Sequence, residues 1–187
     1  MTQNGLDNSL KSILTQYRQS FTSKQFTKGS KKEDDLMRIF GLTQAIKSEN
    51  KQYWSKELGM CWQLLVTELC RQTCDNFSGS IKDGTEELCD LVLGMDAINA
   101  MYRMGSGDSR TLKKVRHCGN SLKKLGYRPI LLILRDDNLP AAITACTLGN
   151  WVIMAGDEAF QYLQKMTKFD LKAWLQAKKN HYPLTFT

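Results

Sequence analysis

The stretch CDLVLGMDAINAMYRMGSGDS, Cys89 to Ser109, decides how the chain reads. It divides into two short strands, Asp90–Leu93 and Ala97–Arg103, joined by a tight turn at Gly94-Met95 and closed by the glycine-rich run Gly105-Ser106-Gly107. Asp90 opens the first strand. Asn99 and Met101 lie two apart on the second, and the two-residue period of a strand turns both side chains to one face. A carboxylate and two further positions are thereby aimed at a common space.

The chain has 187 residues, enough for one domain, or one domain plus a helical arm, with a sizeable core. Its composition is that of an ordinary globular protein rather than a disordered one. It has no apolar run of about 18 residues and no basic-then-apolar start, which predicts a cytoplasmic protein. The cysteines, at 61, 70, 74, 89, 118 and 146, form no CxxC pair, and His117 and His181 are the two histidines. That pattern argues against zinc and reads as reduced, buried thiols.

The net charge of +7 is unevenly spread. Residues 1–50 hold eight basic and five acidic groups, 51–108 five and nine, 109–135 eight and none, and 136–187 five and five. The positive surplus thus sits in one 27-residue block, the footprint expected of a phosphate-binding face. A solvated basic helix accounts for the block equally well. Within it, Leu112, Val115, Cys118 or Gly119, Leu122 and Leu125 form one apolar stripe, and Arg110, Lys113, Lys114, Arg116, His117, Lys123 and Lys124 form the other face. Asp108 or Ser109 would cap this helix, Gly126 would end it, and its first N–H groups could meet a phosphate. GSGD lacks the GK[ST] of a Walker motif, so a nucleotide loop is set aside.

Around this centre, residues 6–22 carry Leu6, Leu10, Ile13, Leu14 and Tyr17 at helical spacing, and Thr22–Lys32 reads as an exposed loop. A second helix is expected over 32–48, with Leu36, Ile39, Phe40 and Ile46 inward. The two make an N-terminal helical arm over 1–50, at a dimer contact, on DNA, or as a cap on the sheet. Residues 51–187 would form the core. Trp54–Thr73 is apolar nearly all round and predicts an interior helix. It carries Glu57, either an accessory metal-site carboxylate or a solvated Glu favoured by the helix dipole, with Glu68 on the same face. Asp75–Glu87 reads as a loop, Arg128–Arg135 as a central strand covered on both faces, Pro140–Thr147 as a helix, Trp151–Ala155 as a buried strand and Asp157–Lys179 as two helices.

The runs ELGMCWQLLVTE (57–68), CDLVLGMDAIN (89–99), YRMGSGDSRTLKK (102–114) and LILRDDNLPAAITAC (132–146) resemble the ApaLI-like type II restriction endonucleases of the PD-(D/E)xK superfamily over roughly residues 50–180. The resemblance implies an α/β fold with a restriction-endonuclease-like core, a mixed central sheet flanked by helices, to which the element order above corresponds. It implies magnesium-dependent hydrolysis of double-stranded DNA at a short palindrome by a homodimer. The catalytic positions it marks are Asp90, Asn99, Met101 and Glu57, with Asp90 and Glu57 as metal ligands. The family's second strand would carry Asp-x-Lys where this chain has Asn99-Ala100-Met101. Asn99 keeps an oxygen and loses the charge, and Met101 can neither donate a hydrogen bond nor carry charge. Groups of that kind are worth roughly 3–4 kcal/mol each to a transition state, so cleavage is expected to be lost and Mg2+ binding weak or absent. A chain altered from an active enzyme and a naturally non-catalytic DNA-binding or interaction protein, regulatory or anti-defence, of phage or plasmid, share these features. On either reading Arg110, Lys113, Lys114 and Arg116 would meet phosphates, and Arg103 and Ser106, or the loop 75–87, would read bases. Were the chain active, Asp96, Asp108 or Arg103 would be the next groups to test.

Overall fold

The computed structural model describes residues 3–22, 33–105 and 108–184. Ser106, half of the proposed base-reading pair, and residues 23–32 of the expected loop lie outside them. In chain order the elements are α1 (Gln3–Thr22), α2 (Asp35–Ile39), α3 (Gln44–Glu49), α4 (Lys51–Thr73), β1 (Phe77–Ser78), β2 (Lys82–Asp83), β3 (Glu86–Glu87), β4 (Leu91–Leu93), β5 (Asp96–Met101), α5 (Ser109–Lys124), β6 (Arg128–Ile133), α6 (Pro140–Leu148), β7 (Val152–Ala155), α7 (Asp157–Thr167) and α8 (Leu171–Ala177).

The chain is a mixed α/β protein whose five-stranded sheet has the order β1-β4-β5-β6-β7. The β1–β4 and β4–β5 pairs are antiparallel, and β5–β6 and β6–β7 are parallel. A turn of two residues suffices between β4 and β5, whereas each parallel step needs a crossover, supplied by α5 and then α6. Apolar residues alternate between two cores. Ile130, Leu132 and Leu134 join Leu91, Leu93, Ile98 and Tyr102 against α1, α2, α4, α7 and α8. Leu131 and Ile133 join Val92 and Ala97 against Val115, Cys118 and Leu122 of α5 and Ala142 and Cys146 of α6. Burial on both faces is why residues 129–134 read as one unbroken apolar run.

Four segments differ from the sequence reading. The strand expected to be buried over 151–155 is β7 at the edge of the sheet, where Val152 is exposed and residues 153–155 are half-buried. The helix expected over 32–48 is two, because Gly41 takes φ +60°, Leu42 N–H closes back on the Met37 carbonyl at 2.9 Å, and Thr43 caps the next helix through Ile46 N–H. A left-handed glycine followed by a new cap ends one helix and starts another. The expected loop 75–87 contains β1, which extends the sheet through Phe77↔Leu93, and the β2–β3 hairpin through Lys82↔Glu87 and Asp83↔Glu86. Its Asp83-Gly84 pair is a hairpin signal in a stretch too polar to show a strand period. Helix α4 is not interior all round: Trp54, Leu58, Cys61, Trp62, Leu65 and Leu69 are buried, but Met60 and Leu64 reach solvent.

The first two helical segments share the main core. Leu6, Leu10, Leu14 and Tyr17 of α1 and Leu36, Met37 and Ile39 of α2 are buried in the cluster that contains α4 and the sheet. They cap one side of the sheet through a continuous apolar contact. Among the described residues no helix is long and apolar enough to cross a membrane.

Candidate functional site

Asp90 immediately precedes β4, and its own N–H pairs with the Ile98 carbonyl at 2.9 Å, so it is registered on β5. Its carboxylate turns across to that strand: Oδ2 accepts the Ala100 N–H at 2.7 Å, and Oδ1 accepts Nε2 of Gln63, on α4, at 2.7 Å. Asn99 and Met101, on one face of β5 as their spacing predicts, are half-buried. Asp90, Asn99 and Met101 line one cavity of about 430 Å3, whose wall is completed by Gln63, Glu87, and Arg110, Lys114 and Cys118 of α5.

The electrostatics of this cavity are set by burial. Desolvation raises the Asp90 carboxyl to about 6, the Ala100 N–H opposes that rise, and the charge of Glu87 adds to it. The two basic residues come from the first two turns of α5, a helix started by Asp108, which accepts the Thr111 N–H at 2.8 Å. Lys114 Nζ lies 3.4 Å from Glu86 and His117 Nε2 3.8 Å from the same carboxylate, so the β2–β3 hairpin is drawn toward the basic helix beside the cavity.

The remaining candidates fall elsewhere. Glu57 does not line the cavity; it faces the α1 side, where its charge acts on Tyr17, and α4 brings in Gln63 instead. Glu68 is held by Arg71 at 2.8 Å. Arg103 turns away, its Nε donating to the Asp137 carbonyl at 2.7 Å. Lys113 and Arg116 are exposed on α5 outside the cavity wall. Asp96 is bound by Arg128 in two bonds of 2.7 and 2.6 Å and by the Tyr162 hydroxyl at 2.7 Å, and Asp108 is occupied as the α5 cap. Gln63 and Glu87 were not singled out in the sequence. The one signal for Gln63 is an amide inside an apolar helix, and Glu87 lies in a segment with no strand period.

The donor set is a poor match for the magnesium ion that the resemblance implies. Mg2+ is held through anionic oxygens and gives up its water reluctantly. Here both oxygens of Asp90 already accept hydrogen bonds, its ionised form is disfavoured by burial, positions 99 and 101 offer an amide and a thioether, and Glu87 is the one other carboxylate among the described lining residues. Among the described residues no group of three or more His, Cys, Asp or Glu is arranged to hold a metal ion. What the cavity does present is two carboxyl groups, Asp90 raised to about 6 and Glu87, with two amides and two cations around a partly apolar floor, an arrangement able to bind a polar or charged group.

The fold and cavity together define a mixed α/β protein with one pocket at its antiparallel strand pair. Comparison with protein-family models, curated proteins and solved structures gives no match to this chain.

Proposed function

We propose that the chain is a double-stranded-DNA-binding protein with a restriction-endonuclease-like core, in which Asn99 and Met101 have removed phosphodiester hydrolysis. The observation that carries this is the convergence of Asp90, Asn99 and Met101 on one cavity with Arg110 and Lys114 on its wall. These are the three positions at which the resemblance to type II restriction endonucleases expects the cleaving groups. The sheet adds support, because an antiparallel pair carrying those positions continues into parallel strands, with helices on both faces.

In this reading the cations of α5 hold the sugar–phosphate backbone against the cavity, with Lys113 and Arg116 extending the contact along the same helix. Asn99 can accept or donate a hydrogen bond, and Met101 supplies only apolar contact. The second carboxylate and the lysine that the resemblance expects at these two positions are absent, and with them the groups that would hold a metal ion and orient the attacking water. A cytoplasmic homodimer, placing one core on each half of a palindrome, completes the proposal.

The test is the double reversion Asn99→Asp with Met101→Lys, assayed for plasmid cleavage with Mg2+ beside the parent chain, together with duplex binding by both in EDTA. The parent is expected to bind duplex DNA without cutting it, and the reverted chain to cut. A parent that does not bind duplex DNA defeats the proposal. Binding by both with no cleavage by the reverted chain favours a naturally non-catalytic DNA-binding protein that reuses the nuclease fold.

A further inference from the structure

A second polar centre lies beyond the carboxyl ends of the parallel strands β5 and β6 and shares no lining residue with the first cavity. It is a small pocket of about 30 Å3 bounded by Gln44, Lys47, Lys51, Ser55, Arg103 and Arg135. Its inner wall is a network of hydrogen bonds and ion pairs. Arg135, with 5% of its side chain exposed, makes a two-bond pair with Asp137 at 2.6 and 2.9 Å and reaches Asp34 at 2.9 Å. Lys47, 8% exposed, bonds the Tyr102 hydroxyl, which itself bonds Asp34, and its ammonium stands 4.0 Å from that carboxylate.

Two features of this wall favour an anion. Lys47, Lys51, Arg103 and Arg135 line the pocket together with Asp137, and Asp34 lies behind it against Lys47 and Arg135. The amide Nε2 of Gln44 is buried with no hydrogen-bond partner among the described residues, although a buried donor without an acceptor is costly. A dianion with several acceptor oxygens answers both. Ser55 adds a hydroxyl donor, and the first turn of the 23-residue helix α4, which begins at Lys51, adds a favourable dipole. We infer that this pocket binds a phosphate group, as free orthophosphate or as the terminal phosphate of a monoester. The space admits one such group and no attached base, so any remainder of the molecule lies outside. Burial has drawn the Lys47 ammonium down to about 8, against the pull of Asp34, and a bound dianion would raise it again.

The inference does not rest on duplex binding, and its test leaves duplex DNA out. Orthophosphate, a nucleoside 5′-monophosphate, and a short single strand with and without a 5′-phosphate are titrated into the full chain, with binding read by calorimetry. The same is done for Lys51→Gln and Gln44→Ala, at exposed and half-buried positions where folding, checked by circular dichroism, should persist. All phosphate-terminated probes should bind, and each variant should weaken them by about tenfold, as expected for losing one charge-assisted contact. Equal affinity for orthophosphate and the phosphorylated strand marks the free ion as sufficient; tighter binding of the strand, lost without its 5′-phosphate, marks a nucleic-acid end. No binding of any probe at millimolar concentration, or binding unchanged in both variants, overturns the inference.

Discussion

Asp90 shows how one residue can be placed by a strand and tuned by its surroundings. The carboxylate is two bonds from being an ordinary cap on the β4–β5 pair, since it accepts from Ala100 and Gln63, yet desolvation holds its proton to about 6. The unfolded chain releases that proton in the ordinary carboxylate range, so between there and pH 6 the folded state binds more protons. Asp90 therefore contributes stability at low pH that is lost as pH rises through about 6. Asp90→Asn removes the titration and can keep both contacts if the Gln63 amide rotates. Urea unfolding at pH 4 and pH 7 should show the variant gaining on the parent with rising pH, by up to about 3 kcal/mol for a shift of about two units. A difference that does not change with pH would mean that Asp90 is not held neutral by its site. Asp96 is a useful contrast on the same strand pair: Arg128 and Tyr162 satisfy it completely, and it serves as a tie between β5, β6 and α7 rather than as a cavity group.

At the scale of elements, α5 carries both the positive charge and the packing of the second core. Its apolar stripe was legible from spacing: Val115, Cys118, Gly119 and Leu122 are buried as that stripe requires, Leu112 is half-buried, and Leu125, its expected last member, is exposed. What spacing could not show is how closely α6 approaches. A Cβ added at Gly119 would collide with the Gly149 carbonyl oxygen and the Trp151 indole, whose Nε1 donates to the Val115 carbonyl at 2.8 Å. Gly119→Ala is therefore expected to lower the stability by about 3 kcal/mol, the upper part of the usual cost of overpacking, with the loss read as an earlier urea midpoint. A variant as stable as the parent would show that α5 and α6 can part without penalty. The helix break at Gly41 and the hairpin at Gly84 belong to the same scale. Both were marked by glycines in the sequence, but helical periodicity ran across the first and polarity hid the second.

For the whole molecule, the proposed palindrome requires two-fold symmetry. Sedimentation of the chain free and on a duplex carrying its site should give a dimer in at least the bound state, and a monomer in both would remove the restriction-type mode of binding. The N-terminal helices are a less obvious partner surface than their position in the chain suggests, because α1 buries Leu6, Leu10, Leu14 and Tyr17 against this chain's own core.

By itself the sequence determined the alternation of elements from α5 to α8, the strand pair around Gly94, the common face of Asn99 and Met101, and the concentration of charge in one helix. These follow from local periods, which any stretch of chain carries within itself. Only the tertiary structure decided which side chains meet. Gln63 reaches Asp90 across 27 positions and Arg135 reaches Asp34 across 101, and nothing in either local pattern encodes the pairing. Glu57 and Gln63 lie within two turns of one helix, yet the rotation of α4 against the sheet turns one toward α1 and brings the other to the cavity. That rotation is fixed by the packing of Trp54, Leu58, Trp62 and Leu65 into the core, a property of the assembled layers rather than of the helix.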